Sequence, residues 1–581
     1  MRNIVDPRQL RLFDSYQGLF SPQALRTLAS GWQGVFRAAI LELLPAAELA
    51  EHYHPTLGAP TKELYSMAGL VFLADFHDWT STEAAEAYMF RTDVQFALNL
   101  EPGADVSSRT VERYQRLFRE DELAMGVFQN VTVQLANLLE LDVSKQRLDS
   151  THVFSNMANF GRTKLMAVAI KRFLTQVKRH AATAYAALPE DFRHRYEPAQ
   201  SRLFSGAKDT QTRTRFRQQA AEDLLWVIEH FADHPKLSSR STYQVLVTLF
   251  HEQCEVIEGA VQVRKKTGGD RLQNTSDPDA TYDGKKGSGY QVQIAESCGD
   301  ANEVQLITGA IPQTACAFDG DALVPMLEQL QELNLTPAEM LADGHYCRDE
   351  NVQAAAAVDV ELVGPMPGRE PSAPSPEALS IDDFAFDERT GEIECCPTGH
   401  APISVTTETQ TEDGITTTTF KVEMPASACQ GCPFFQQCPT RQDRGGKYTV
   451  EFSDKQLRME GRRREQETLA YHQRYAKRSG IESTNSGLKN RLGLRRLKVR
   501  GRGAVFRTIL LKLAGWNVLR AAASERMRAR VAEILCKLLP GVEAAWFGQA
   551  AGRVARLTTR LRSVFLAPAG ATRLDTLPCA A

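Results

Sequence analysis

With 581 residues, of which 43% are hydrophobic and 24% charged, the chain can form several domains and has the composition of a soluble globular protein. A formal net charge of −3 does not by itself suggest a nucleic-acid partner, but the charge is unevenly spread and the C-terminal part is rich in Arg. No apolar run approaches the ~20 residues of a membrane span, and the start, MRNIVDPRQLRLFDSYQ, has no unbroken apolar segment of the secretory kind, so a cytosolic protein with no membrane partner is expected.

Residues 12–119 repeat apolar side chains at helical spacing, as in SPQALRTLASGWQGVFRAAILELL. Thr80 and Glu83 form a T-x-x-E capping box opening a helix through Ala84 to Phe90, and a second helix starts after Ser107 and Ser108 and runs through Val111, Tyr114 and Leu117. An N-terminal all-α domain over residues 1–125 is therefore expected. Residues 145–153 read as a strand with Asp149 near its middle, followed by Ser150 and Thr151. Residues 162–265 are charged and helical in pattern, with breaks at Leu188-Pro189 and His234-Pro235.

Strand patterns return at residues 290–297 and 303–311. The loop before them, SDPDATYDGKKGSGY, carries Asp277, Asp279 and Asp283 at the density of Gly, Asp and Pro that a turn requires, so these acids are read as turn formers rather than metal ligands. Lys285 and Lys286 are candidate phosphate contacts. A helix over 321–333 leads to Met340-Leu341-Ala342, a short buried strand that ends in Asp343-Gly344. An acid at the carboxyl end of such a strand stands where open α/β sheets place their chemistry. A strand over 360–364 and a Pro-, Ser- and Glu-rich linker through Ser380 follow, then short strands at 403–407 and 416–422.

Five of the eleven cysteines fall between Cys395 and Cys438. Cys429-x2-Cys432-x5-Cys438 supplies three thiolates of a tetrahedral set, and Cys395 or Cys396, with His400 nearby, offers the fourth. The expected set is Cys396, Cys429, Cys432 and Cys438 around a structural Zn²⁺; the alternative is a group of unpaired buried thiols.

In the stretch YHQRYAKRSGIESTNSGLKNRLGLRRLKVRGR, residues 471–502, a single acid, Glu482, stands among cations. In a helix over 471–489, Tyr475, Arg478, Glu482 and Lys489 would share one face. Gly480 and Gly487 each cost a helix interior roughly 1 kcal/mol, so the helix is expected to be short or broken on one side of Glu482. A carboxylate in a basic field suits a face that meets polyphosphate and holds a divalent metal.

The order Tyr475, Arg478, Glu482, Lys489 resembles the signature around the last acid of DDE transposases of the IS4-like group, and GLRRLKVRG resembles the subgroup called IS1182. LDSTHV and LADGHY look like the family's first-Asp and second-Asp segments. The resemblance implies an α/β fold, with a ribonuclease-H-like catalytic core over 139–520, a helical insertion at 162–265 and a cysteine-rich β insertion at 382–452. The all-α domain precedes it and a basic helical tail, 521–581, follows. It implies a triad of Asp149, Asp343 and Glu482 holding two Mg²⁺, with Tyr475, Arg478 and Lys489 on the phosphates of the transposon end.

The run Arg495, Arg496, Lys498 and Arg500 would track the DNA backbone. The implied reaction is metal-dependent cleavage of transposon-end DNA and strand transfer into target DNA. The implied partner is double-stranded DNA, bound at terminal inverted repeats through the N-terminal domain by a homodimer, in the bacterial cytoplasm at the nucleoid. Two other functions suit the same residues: a transposase-derived DNA-binding protein that has lost catalysis, and a ribonuclease-H-like nuclease without strand transfer. Separations of 194 residues between Asp149 and Asp343, and 139 between Asp343 and Glu482, require insertions within the core.

Overall fold

Helices build the first of the two units into which the chain divides, Met1–Leu141 together with Leu510–Ala581; the second is Asp142–Ile509. The computed structural model describes residues 1–9, 15–198, 202–205, 209–367, 378–387, 392–412 and 415–538. In the first unit, Leu64–Phe76 is apolar all round and buried at nearly every position, as a central helix must be. The expected capping box closes at the start of Ser81–Phe90: Glu83 N donates to Thr80 Oγ1 at 3.2 Å and Thr80 N donates to Glu83 Oε2 at 2.7 Å.

Ser107 caps Ser108–Glu120, which buries Val111, Tyr114, Leu117 and Phe118 and leaves Arg109, Arg113, Arg116 and Arg119 exposed. Glu525–Leu538, from the segment expected as a basic tail, packs in this unit against Pro22–Ser30 and Leu123–Leu139. Met527, Val531 and Leu535, one turn apart, are its buried stripe. The rest of the segment expected as a basic helical tail, residues 539–581, lies outside the described residues. Among the described residues no helix is long and apolar enough to cross a membrane.

The second unit is mixed α/β and is organised by a six-stranded sheet. Its strands are β1 (Lys145–Val153), β2 (Thr281–Asp283), β3 (Gly287–Ser297), β4 (Ile307–Thr314), β5 (Glu339–Leu341) and β6 (Glu361–Val363). β1 lies in the middle. On one side it pairs antiparallel with β3, which pairs antiparallel with β4 and β2; on the other it pairs parallel with β5, and β5 with β6. The strand expected over 303–311 begins only at Ile307, because the residues before it close a loop: Asn302 Nδ2 donates to the Asp142 carbonyl at 2.8 Å, and Ser297 Oγ donates to Gln305 Oε1 at 2.8 Å.

The insertion after β1 is helical, as expected, through Ser241–Gln253, but it ends in a hairpin, Cys254–Ile257 with Ala260–Val263. Glu258 and Gly259 take φ of 51° and 79°, the left-handed pair that a two-residue hairpin turn needs. Helices Arg162–His180, Thr210–Phe231 and Ser241–Gln253 bury a core of their own around Phe173, Leu224 and Leu246. The cysteine-bearing insertion is also independent. A four-stranded sheet, in the order Ser404–Glu412, Ile415–Met424, Tyr448–Ser453, Arg441–Gln442, covers a cluster around Phe420, Val422, Val450 and Phe452.

The basic stretch forms two helices, Leu469–Ala476 and Gly480–Arg491, joined by a 3-10 turn over Lys477–Ser479. The break falls just ahead of Glu482, and Gly480 is required there for close approach. A Cβ on Gly480 would come within 1.9 Å of Arg147 Nη1 on β1, whose guanidinium is fixed by Glu296 and by the Lys477 carbonyl.

Candidate active site

Strand register brings the first two acids together. Arg147 of β1 is paired with Leu341 of β5 in a parallel ladder. Two residues further along each strand direction stand Asp149 and Asp343, at the carboxyl end of β5. The third acid arrives on Gly480–Arg491. That helix is held against the sheet by Thr484 Oγ1 donating to Glu296 Oε1 at 2.5 Å, and by Asn485 Nδ2 donating to Asp149 Oδ2 at 3.0 Å.

The guanidinium of Arg478 lies among the three carboxylates. Its Nη2 is 3.1 Å from Asp149 Oδ1 and 3.9 Å from Asp343 Oδ2, and its Nη1 is 4.0 Å from Glu482 Oε1. Asp149 and Arg478 are each 16% exposed, whereas Glu482 is 71% exposed, so the cluster is closed at the sheet and open at the helix. Burial raises the Asp149 carboxyl above its ordinary range; Arg478 opposes that shift, while the charges of Asp343 and Asp319 add to it.

A cavity of about 600 Å³ opens at this point. Asp149 and Glu482 line it together with Lys286, Lys489 and Arg495, and with the rings of His152 and Phe154, which meet edge to face at 4.6 Å. Lys286 Nζ donates to Ser150 Oγ at 3.0 Å and pairs with Asp319 Oδ2 at 3.3 Å. Burial pushes the His152 imidazole down to about 4, so this ring is neutral at physiological pH.

The remaining expected site residues lie beside this cavity or behind it. Residues 495–499 run alongside the end of β1: Phe154 N donates to the Arg495 carbonyl at 3.1 Å, Leu497 N to the Phe154 carbonyl at 2.8 Å, and Asn156 N to the Val499 carbonyl at 2.8 Å. Leu494 and Leu497 are buried, and Arg495, Arg496, Lys498 and Arg500 are exposed. Tyr475 is half-buried, stacked on Tyr471 at 5.7 Å, in a cluster with Leu341 and Val363.

Asn485, Asp319 and the Arg147–Glu296 pair, 2.6 Å apart, belong to the site and have no motif in the sequence. Asn485 could have been found by its place one turn after Glu482. Asp277, by contrast, accepts from the Tyr290 hydroxyl at 2.5 Å and Asp283 accepts from Lys285 N and Lys286 N, as turn formers do.

The donors here are chemically suited to a divalent cation such as Mg²⁺: three carboxylates, and beside them the buried Asn485 Oδ1, which has no hydrogen-bond partner. As placed, however, the acids are turned to Arg478. Among the described residues no group of three or more His, Cys, Asp or Glu side chains stands ready to hold a metal.

The same holds for the cysteines, which have a different geometry. Cys396, Cys429, Cys432 and Cys438 line one void of about 20 Å³, room for a single water-sized sphere. Cys395 does not line it. Cys396 starts a tight turn, with Gly399 N donating to its carbonyl at 2.8 Å and His400 Nδ1 3.9 Å from its Sγ. Burial, with the neighbouring Cys438, Cys396 and Cys432 adding to it, pushes the Cys429 thiol up to about 11.

Residues 395–522 match the family model described as a Transposase DDE domain. The matched segment contains Glu482, the basic run and all four cysteines, Cys396, Cys429, Cys432 and Cys438, and it lies downstream of Asp149 and Asp343. Comparison with curated proteins finds no match, and comparison with solved structures finds none. The match supports a DDE transposase, and with it a nucleic-acid-cleaving enzyme of a class that generally uses divalent metal.

Proposed function

We propose that the chain is a DDE transposase of the IS1182 kind that cleaves the DNA at transposon ends and joins the freed 3′-hydroxyl to target DNA. The observation that carries this reading is the convergence of Asp149, Asp343 and Glu482, from three distant parts of the chain, on one guanidinium at the mouth of a cavity rimmed by cations. The sheet supports a ribonuclease-H-like core, since its first strand is central, with antiparallel neighbours on one side and parallel strands on the other.

The three carboxylates would hold the divalent metal, which when bound activates the attacking hydroxyl and relieves charge on the leaving oxygen. The chain's other residues act on the DNA. Lys286, Lys489 and Arg495 place positive charge around the cavity that receives a phosphate, and Arg496, Lys498 and Arg500 extend it along the backbone. Asn485 and the Arg147–Glu296 pair orient Asp149 and the Glu482 helix, so they are positioning residues. In the first unit, Arg109, Arg113 and Arg116 form an exposed stripe on Ser108–Glu120 suited to a second DNA contact, at the terminal repeats. The four cysteines would close a structural Zn²⁺ site in the insertion.

The test is incubation of purified protein with DNA carrying its own flanking ends and Mg²⁺, followed by sizing of the products. Nicked ends together with joined product are expected. Nicking without joining would reduce the activity to that of a nuclease, and binding without either would leave a DNA-binding protein.

A further inference from the structure

Arg478 does not point to a vacant phosphate site but engages the acids themselves. Nη2 meets Asp149 and approaches Asp343, while Nη1 approaches Glu482 one helical turn away. These contacts do not exhaust it, because its buried Nε has no hydrogen-bond partner. The buried Asp149 and its neighbour Asp343 repel one another, and the cation among the acids offsets that repulsion. The contacts at 3.9 and 4.0 Å are loose, and Glu482 is largely in solvent, so the guanidinium can be exchanged for another cation without unfolding its surroundings.

Resting on the reading of these acids as the metal site, we propose that Arg478 is a resident counter-ion that occupies the carboxylates until a divalent cation displaces it. The freed guanidinium then turns to a phosphate in the adjoining cavity. A planar, five-donor cation suits both partners, because carboxylate and phosphate present the same paired oxygens. Metal and DNA are thereby coupled: metal releases the arginine that DNA needs, and DNA holds away the arginine that competes with metal.

The experiment titrates Mn²⁺ into the full-length protein, without DNA, by calorimetry and by the paramagnetic signal of free Mn²⁺. It compares wild type with Arg478→Gln and Arg478→Ala. Lys477→Ala is the control, since it removes the same charge from a side chain that pairs with Asp300 outside the site.

Both Arg478 variants should bind Mn²⁺ about tenfold more tightly than wild type and the control, the order of effect of losing one close competing charge. Should the variants be less stable without metal, Mn²⁺ should raise their melting temperature by more than it raises that of wild type. In DNA binding, Arg478→Gln should lose affinity in Ca²⁺ and lose none in EDTA. Unchanged or weaker Mn²⁺ binding in both variants, with wild type binding normally, overturns the exchange and leaves the metal site standing. No Mn²⁺ binding by any of the four proteins overturns both.

Discussion

The carboxylate cluster and the cysteine cluster are both suited to a metal, and they hold themselves together in opposite ways. At the carboxylates, charge is partly offset by Arg478, beside a cavity of about 600 Å³ that Asp149 and Glu482 line with cations around it. At the cysteines the thiols surround a void of about 20 Å³, and burial and mutual proximity keep Cys429 protonated. The first site is open and hard in its donors, so it can take and release an ion together with a substrate. The second is closed and soft, and an ion there would be part of the fold.

The largest effect expected from this contrast lies at the open site. Asp149→Asn, Asp343→Asn and Glu482→Gln should each lower cleavage by roughly 10³-fold or more while DNA binding survives, and the triple variant should be scarcely worse than any single one. Gel assays of end cleavage in Mg²⁺ read this directly, and near-normal nicking by Glu482→Gln would break the triad. At the closed site, Cys432→Ser should remove about one zinc per chain and destabilise the insertion by roughly 3 kcal/mol or more, because binding there is also folding. Elemental analysis of reduced wild-type protein that finds no zinc would end the reading of the cysteines as a structural metal site.

A smaller effect separates the surroundings of the two sites. His152, buried beside the carboxylates, titrates at about 4 against an ordinary 6.5, so the unfolded chain takes up its proton first as pH falls. Its contribution to stability is full above about pH 6.5 and is lost on the way down to about 4. His152→Gln should therefore reduce the stability difference between pH 7 and pH 4 by about 3 kcal/mol in denaturant melts. An unaltered pH dependence would mean that water reaches the ring. The smallest effect concerns the rim: changing Arg495, Arg496 and Lys498 together to Ala should weaken binding to all DNA sequences alike and flatten the salt slope by roughly 2 to 3. An unchanged slope would move the DNA elsewhere.

Local pattern revealed most of the elements. The nine residues of β1 have the bounds that alternation suggests, the Thr80 box closes as written, and the glycine penalty at Gly480 marks where the basic helix breaks. What local pattern could not reveal was pairing. Nothing in the sequence says that Arg147 faces Leu341 or that Phe154 is bonded to Arg495, because those partners lie far apart in the chain. For the same reason no motif marks Asn485 or Asp319: their importance comes from what they touch. Local pattern hides the hairpin after Gln253 because its short alternating strands follow a long helical run; its turn is the left-handed Glu258-Gly259 pair.

The central position of β1 sets an order of events during synthesis. This strand leaves the ribosome well before its parallel neighbour Glu339–Leu341, and the Glu482 helix comes later still. Meanwhile the helices from Arg162 to Gln253 can settle around their own apolar centre, since their contacts are local in sequence. The exposed flank of β1 must stay unpaired until β5 arrives. Its one acid, Asp149, with the cations Lys145 and Arg147, would guard it in that interval, because a charged edge resists joining the wrong strand. Asp149 would thus help the nascent chain avoid aggregation before it ever meets a metal.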